Sequence, residues 1–114
     1  MALRATPRDA GQVMVVDLGG RITLGDGSAL LRKTIRGLLE DQRRSILLNL
    51  ADVDYIDSSG IGELVSGYTA VKNQGGELKL LHLTKKVRDI LQITKLYTVF
   101  DVFSDEPTAL GSFQ

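Results

Sequence analysis

The sequence has no cysteine, no tryptophan, only two prolines and a single histidine, His82, among its 114 residues. The lack of cysteine excludes disulfide bonds and thiolate catalysis and suits a cytoplasmic protein. One histidine excludes a histidine-rich metal site, and we expect no metal ion and no cofactor. The sequence also lacks the roughly 18 consecutive apolar residues that cross a membrane, and its N-terminus lacks the apolar run of a signal peptide. We therefore expect no membrane partner.

An excess of charge of either sign is also missing, because 14 Lys and Arg residues balance 14 Asp and Glu residues. Proteins that bind nucleic acid normally carry a basic face, so we expect no nucleic-acid partner. What the chain does contain is 43% hydrophobic and 25% charged residues, which is typical of a globular protein with a real core. The length suits one domain, and we expect residues 1–114 to form it.

The period of the hydrophobic pattern changes along the chain and predicts alternating strands and helices. Short apolar runs predict strands at Gln12–Leu18, Ser45–Leu50 and Glu77–Leu81. Apolar residues at helical spacing predict helices at Asp26–Gln42, Ser59–Gln74 and Lys85–Gln92. We expect Asp26 or Ser28 to cap the first of these helices and Thr84 to cap the third.

Weaker signals extend the pattern at both ends of the chain. Leu3–Thr6 predicts an edge strand that pairs with the next strand through a turn at Arg8–Gly11. Val99–Phe103 predicts a last strand and Asp105–Phe113 a C-terminal helix. The resulting order predicts an α/β fold, with a small mixed, mainly parallel sheet of four to five strands flanked by helices.

The stretch Asp57-Ser58-Ser59-Gly60 carries the main functional signal, because it follows a predicted central strand and opens the next helix. In an open parallel sheet, functional loops lie beyond the carboxyl ends of the strands. A helix N-terminus at that place presents unsatisfied N–H groups and accepts a phosphate readily. Ser and Asp are also common helix caps, so a purely structural role is an equal alternative at this point.

A catalytic serine is the weaker interpretation of this stretch. A nucleophile elbow needs Gly-x-Ser-x-Gly, whereas Ser58 stands in Ile-Asp-Ser-Ser-Gly. A catalytic triad needs a histidine base. His82 is the only candidate, and it lies between two leucines of a predicted strand, where a structural histidine is usual. We therefore expect a protein that is not an enzyme.

Three stretches carry a resemblance to a known family. They are the Gly19-Gly20 pair after the first predicted strand, ILLNLADVDYIDSSGIGELV from Ile46 to Val65, and GGELKLL from Gly75 to Leu81. Together they resemble the STAS domain of bacterial anti-sigma factor antagonists, over about Gln12 to Leu110. The resemblance implies a protein that binds an anti-sigma factor serine kinase and so releases the sigma factor. Phosphorylation of a serine by that kinase breaks the complex, and a PP2C-type phosphatase restores it.

The resemblance places the phosphoacceptor at Ser58, with Ser59 as the second choice. Extending the helix back from Ile61 at 3.6 residues per turn instead favours Ser59 as the exposed hydroxyl, although cap residues depart from helical geometry. The loops at 19–25 and 53–58, with the exposed side of the following helix, are expected to form one partner face. Its predicted residues are Gly20, Arg21, Thr23, Asp26, Tyr55, Asp57, Ser58, Ser59, Gly60, Ile61 and Glu63.

One stretch departs from the family pattern. Many relatives read Gly-Glu-hydrophobic-Asp at the end of this strand, where the acid helps phosphorylation or kinase docking. Here Arg21 and Thr23 stand in those two places, with Asp26 nearby as a possible substitute. The alternative function is therefore a STAS scaffold or ligand-binding module that is not phosphorylated.

Overall fold

A computed structural model describes residues 2–113 of the chain. Within these residues the strands are β1 Arg4–Ala10, β2 Val13–Ile22, β3 Ser45–Ile56, β4 Glu77–Leu81 and β5 Val102–Phe103. They form one five-stranded sheet in the order β1-β2-β3-β4-β5. Strand β1 runs antiparallel to β2, and all other neighbours are parallel. The helices are α1 Asp26–Glu40, α2 Ser58–Asn73, α3 Lys85–Ile93 and α4 Glu106–Gly111. The predicted fold class is confirmed.

The core lies mainly on one face of the sheet, under helices α1 to α3. Ile46 and Leu48 of β3 are fully buried there and pack in one cluster with Leu64 of α2. The opposite face of the sheet is covered by α4, whose Ala109 belongs to a second cluster with Leu47. Because successive residues of β3 enter the two clusters in turn, this strand is covered on both faces, as its nearly continuous apolar run predicts.

Strands β2 and β3 continue beyond their predicted ends, and the additional residues build the edge of the sheet next to the Asp57–Gly60 stretch. Strand β2 continues past the predicted end at Leu18, with register shifts against β3 at its glycine pair. Gly20 has a φ of 103°, which glycine adopts without strain, so the glycines bend the strand rather than end it. Strand β3 continues past Leu50, because Val53 and Ile56 are fully buried and pair with the end of β2. The predicted loop at 53–58 is therefore largely strand.

Other boundaries move by a few residues. Strand β1 continues to Ala10, so the predicted turn at Arg8–Gly11 is wrong: Arg8–Ala10 pair with β2, and the turn is at residues 11–12. Strand β5 is limited to Val102–Phe103 because Leu96–Thr98 form a 3-10 turn before it. Helix α2 includes Ser58, one residue earlier than predicted, and α1 and α4 are shorter than predicted. His82 lies just beyond β4 rather than inside the strand, with a φ of 57°.

The start of α1 also differs from the prediction. Neither Asp26 nor Ser28 caps this helix, because the N-cap is Gly25, which makes no side-chain cap bond. The buried Ser28 hydroxyl instead donates to the Thr23 carbonyl at 2.9 Å, which fixes the loop between β2 and α1. Thr84 does cap α3, as predicted.

Candidate functional site

Asp57 fixes the start of α2 and joins it to the loop that follows β2. Its backbone is extended, and its Oδ1 accepts a hydrogen bond from the Gly60 amide at 2.9 Å. Its Oδ2 accepts from the amide of Leu24 at 3.0 Å, and its own amide donates to the Ile22 carbonyl at 3.2 Å. The Leu24 amide, and after it the Gly60 amide, lower the pKa of the Asp57 carboxyl below its usual range. Asp57 is therefore an anion at neutral pH.

Glycine in the first turn lets both α1 and α2 begin directly against the end of β2. A Cβ at Gly60 would collide with the Ile22 carbonyl oxygen and lie 2.6 Å from Cγ1 of Ile56. A Cβ at Gly27 would lie 2.7 Å from the Arg21 carbonyl oxygen. Because neither position carries a side chain, the first turns of α1 and α2 pack closely against the end of β2.

The two serines differ in their exposure. Ser58, the first residue of α2, is exposed, whereas Ser59 is half-buried. The helical extrapolation that favours Ser59 as the exposed hydroxyl is wrong, because the Asp57 cap and the contact of Gly60 with β2 orient the first turn. Among residues 2–113, no side chain or backbone group forms a hydrogen bond with the Ser58 hydroxyl. The Ser58 hydroxyl is therefore exposed and has no hydrogen-bond partner within the described residues.

An open groove lies beside Ser58, between the start of α2 and helix α3. Tyr55, at the end of β3, is 37% exposed at one side of this groove. The guanidinium of Arg21 lies 4.8 Å from the centre of its ring, and Nζ of Lys86 lies 5.8 Å from it. The residues that line the groove are Tyr55, Ile56, Asp57, Ser58, Ile61, Ile90 and Thr94.

The predicted partner-binding residues divide into supporting and accessible positions. Gly20, Gly60 and Ile61 are buried, so they shape the surface without offering side-chain contacts. Glu63 is half-buried and forms a bidentate ion pair with Arg32 of α1. The accessible positions are Arg21, Thr23, Asp26, Tyr55, Asp57, Ser58 and Ser59.

Sequence reasoning included Leu24 only as part of the loop 19–25, without naming it, and missed the contribution of α3. Leu24 is 79% exposed in the loop whose amide is held by Asp57. Its signal in the sequence was an isolated leucine between polar residues and glycine, outside any apolar period. Ile90 of α3 and its C-cap Thr94 line the groove, and Lys86 lies over the Tyr55 ring beside it, because α3 packs next to β3. The local sequence pattern does not encode this tertiary contact.

His82 and Ser58 do not belong to one site. His82 lines a separate hollow with Ala51, Arg88 and Ser104, beyond the end of β4. In the part of the chain that the structure describes, no three potential His, Cys, Asp or Glu ligands come together. The helices of residues 2–113 include none with the length and apolar character of a membrane span.

Comparison with known proteins identifies the family. Residues 4–109 match the family model of the STAS domain. The chain belongs to the STAS domain family. The anti-sigma-B factor antagonist of Bacillus subtilis (strain 168) is 33% identical over 87 residues, which cover 76% of this chain and 78% of that protein. The anti-sigma F factor antagonist of Paenibacillus polymyxa is 24% identical over 102 residues, covering 90% and 87% of the two chains.

Solved structures share the STAS fold with this chain. An anti-sigma factor antagonist from Mycobacterium paratuberculosis superposes with a TM-score of 0.86 at 20% identity, covering 98% of this chain and 94% of that one. The Bacillus cell fate determinant SpoIIAA in its phosphorylated form gives a TM-score of 0.71 at 18% identity, covering 92% and 96%. The recognition of a STAS domain from the sequence is confirmed, and its sheet and helices are those of the family.

Proposed function

We propose that this protein is an anti-sigma factor antagonist that binds an anti-sigma serine kinase and is released when the kinase phosphorylates Ser58. The observation that carries the proposal is the exposed Ser58 hydroxyl, free of intramolecular hydrogen bonds, at a rigidly capped helix start beside an open groove. Membership of the STAS family supports it, as do relatives that are named anti-sigma-B and anti-sigma F factor antagonists.

The release step follows from charge. A phosphate on Ser58 adds about −1.5 to −2 charge at neutral pH, directly beside the Asp57 carboxylate. In the free protein, water and the N-terminus of α2 stabilise this charge, so the fold does not have to change. In a close-packed complex the same charge is desolvated against Asp57. Because like charges brought together at an interface cost several kcal/mol, we expect phosphorylation to weaken the complex about a hundredfold or more.

The proposal assigns the protein a binding role rather than an enzymatic one. The kinase supplies the chemistry at Ser58, and a PP2C-type phosphatase restores the free hydroxyl. The proposed location is the cytoplasm, where this protein would meet the anti-sigma kinase.

The test uses the cognate anti-sigma kinase and follows its complex with this protein by calorimetry, first with ADP and then with ATP. We expect the wild type to bind with ADP and to be released with ATP, and Ser58→Ala to stay bound under both conditions. Because Asp57 rather than Ser58 caps α2, Ser58→Ala should leave the unfolding temperature nearly unchanged. Ser66→Ala, at another exposed serine of α2, is the matched control and should behave as the wild type.

Two outcomes would contradict the proposal. The first is a wild-type protein that does not bind the kinase with ADP. The second is a complex that ATP leaves intact. Ser58→Asp should weaken the complex by less than phosphate does, because a carboxylate carries less charge and fewer acceptor oxygens.

A STAS scaffold that is not phosphorylated is the second candidate. It is favoured by Thr23, which stands where the family resemblance implies an acid that helps phosphorylation or kinase docking, and by Arg21, which stands in place of a glutamate. A complex that forms with the kinase but gains no phosphate from ATP would support this candidate.

A further inference from the structure

Three side chains from three different elements form a small basic and aromatic cluster next to the groove. Tyr55 of β3 is the centre, with the Arg21 guanidinium of β2 4.8 Å and the Lys86 ammonium of α3 5.8 Å from the centre of its ring. Arg21 and Tyr55 are directly paired in the register of β2 and β3. Both cations are exposed, and Tyr55 is 37% exposed. We refer to Arg21, Tyr55 and Lys86 as the Tyr55 cluster.

The carboxylates close in sequence to the Tyr55 cluster do not neutralise it. Asp57 accepts hydrogen bonds from two backbone amides, and Glu63 is paired with Arg32. Asp54, next to Tyr55 in the chain, is exposed and forms no ion pair with either cation. Within residues 2–113, neither Arg21 nor Lys86 lies within ion-pair distance of any carboxylate. The cluster therefore holds two positive charges against one ring without a counter-charge.

Cation–ring contacts of this kind hold a cation in a position where it can bind a carboxylate. A guanidinium that rests on an aromatic face loses side-chain freedom but keeps the N–H groups at its edge, which match a carboxylate in bidentate geometry. The Lys86 ammonium supplies a second positive charge to the same place. Both cations lack a carboxylate partner within residues 2–113, so an acidic side chain from outside would supply the missing counter-charge.

We propose that the Tyr55 cluster receives an acidic side chain, Asp or Glu, from the surface of the anti-sigma kinase that covers Ser58. This inference rests on the proposed function and names the chemistry of the partner. Tyr55 and Ser58 line the same groove, so the ion pair forms at its edge when the kinase docks. The two cations favour binding of a partner with an acidic residue opposite the cluster and disfavour binding of a partner with a basic residue there.

The test measures the dissociation constant of the complex with the cognate kinase, with and without ADP, at low and at physiological salt. The double variant Arg21→Glu/Lys86→Glu reverses the charge of the cluster, and we expect it to weaken the complex about tenfold to a hundredfold. The matched control is Lys33→Glu/Lys72→Glu, which makes the same change in net charge at exposed positions of α1 and α2. The control should change the constant by less than about threefold, since distant exposed charges are largely screened.

A second variant, with uncharged side chains at both positions, distinguishes the loss of charge from a folding defect. Arg21→Gln/Lys86→Gln removes the charges without introducing acids, and we expect the complex to weaken by about fivefold to tenfold with a smaller dependence on salt. Replacing the facing acid of the kinase by lysine should restore binding to Arg21→Glu/Lys86→Glu, a rescue that no folding defect can imitate.

The outcomes separate the two proposals. If the wild type binds the kinase and is phosphorylated, but charge reversal and its control have equal effects, the docking inference is overturned and the proposed function stands. If charge reversal weakens the complex only when nucleotide is present, the cluster faces nucleotide phosphate rather than a carboxylate, which also overturns the inference. A wild type that fails to bind the kinase overturns both.

Discussion

Helices α2 and α4 both begin after an aspartate cap, but the two aspartates make different connections. Asp105 uses one oxygen, Oδ2, for both the amide and the hydroxyl of Thr108 inside its own helix. Asp57 uses both oxygens, one for Gly60 in its own helix and one for Leu24, which lies 33 residues away in the chain. The cap of α4 is local, whereas the cap of α2 also ties a distant loop to the helix start.

The two helices are also fixed to the sheet by different means. Besides the apolar contacts of Ala109, helix α4 is held by polar side chains, with Glu106 paired to Arg8 at 2.6 Å and its C-cap Ser112 accepting from Lys79 at 3.0 Å. The start of α2 is held by the Asp57 cap and by the close approach of Gly60 to β2. Because Asp57 and Gly60 fix the helix start, the Ser58 hydroxyl makes none of these contacts and stays exposed. The comparison teaches that neighbouring residues can fix a helix start without using the side chain of its first residue.

The largest effect is expected from filling the space at Gly60. Gly60→Ala would force a Cβ against the Ile22 carbonyl, so we expect the protein to lose about 1–3 kcal/mol of stability as α2 moves away from β2. Gly62→Ala, two residues further on, meets nothing within 4 Å and should gain about 0.5–1 kcal/mol from helix propensity. Chemical denaturation measures both free energies of unfolding. Equal effects at the two positions would show that α2 is not packed against β2 as described.

A smaller and more selective effect is expected from replacing each capping aspartate by asparagine. Asparagine has one acceptor oxygen, so Asp57→Asn can keep the bond to Gly60 or the bond to Leu24, but not both. Since asparagine is a good N-cap, we expect the helix to remain and the Leu24 amide to exchange with solvent several-fold faster. Asp105→Asn can keep both bonds, because both go to the same oxygen, and should alter amide exchange little. An unchanged Leu24 amide in Asp57→Asn would show that the long-range tie is not formed.

The smallest effect concerns pH. The pKa of Asp57 is lowered in the folded protein. Its hydrogen bonds therefore stabilise the fold fully above the unfolded pKa of about 3.9, and this stabilisation is lost as the pH falls through the lower folded pKa. We expect the amide chemical shift of Leu24 to be constant from pH 7 to 5 and to move only in more acid solution. Arg8 also lowers the pKa of Asp17 and of Glu106, so overall stability declines in the same range. The Asp57→Asn variant is the control, and a transition of its Leu24 shift identical to that of the wild type would exclude Asp57 as the titrating group.

Much of the fold could be predicted from the sequence because the strongest signals are local. The apolar run at 45–50 and the helical spacing from Ile61 to Val71 report burial directly, and both elements are found where they were predicted. The ends of β2 and β3 were missed because Gly19-Gly20 and the acidic residues after Leu50 resemble loops. Those residues are strand because the two strand ends pair with each other, which is a contact between distant parts of the chain.

In the candidate site, too, some features follow from the local sequence and others depend on contacts between distant parts of the chain. The position of Ser58 at a strand-to-helix junction follows from the order of elements. Its exposure relative to Ser59 depends on the cap geometry of Asp57, and the roles of Leu24 and Lys86 depend on how the loop and α3 pack around it. These contacts have no periodic signature in the sequence, so only the three-dimensional structure supplies them.

The central claim is that the free Ser58 hydroxyl is the phosphoacceptor, and mapping the phosphate by mass spectrometry tests it most directly. The wild type, Ser58→Ala and Ser59→Ala are each incubated with the cognate anti-sigma kinase and ATP, and the peptide that spans residues 45–72 is fragmented. We expect one phosphate at Ser58 in the wild type and in Ser59→Ala, and none in Ser58→Ala. Phosphate at Ser59, or no phosphate in the wild type, would contradict the claim.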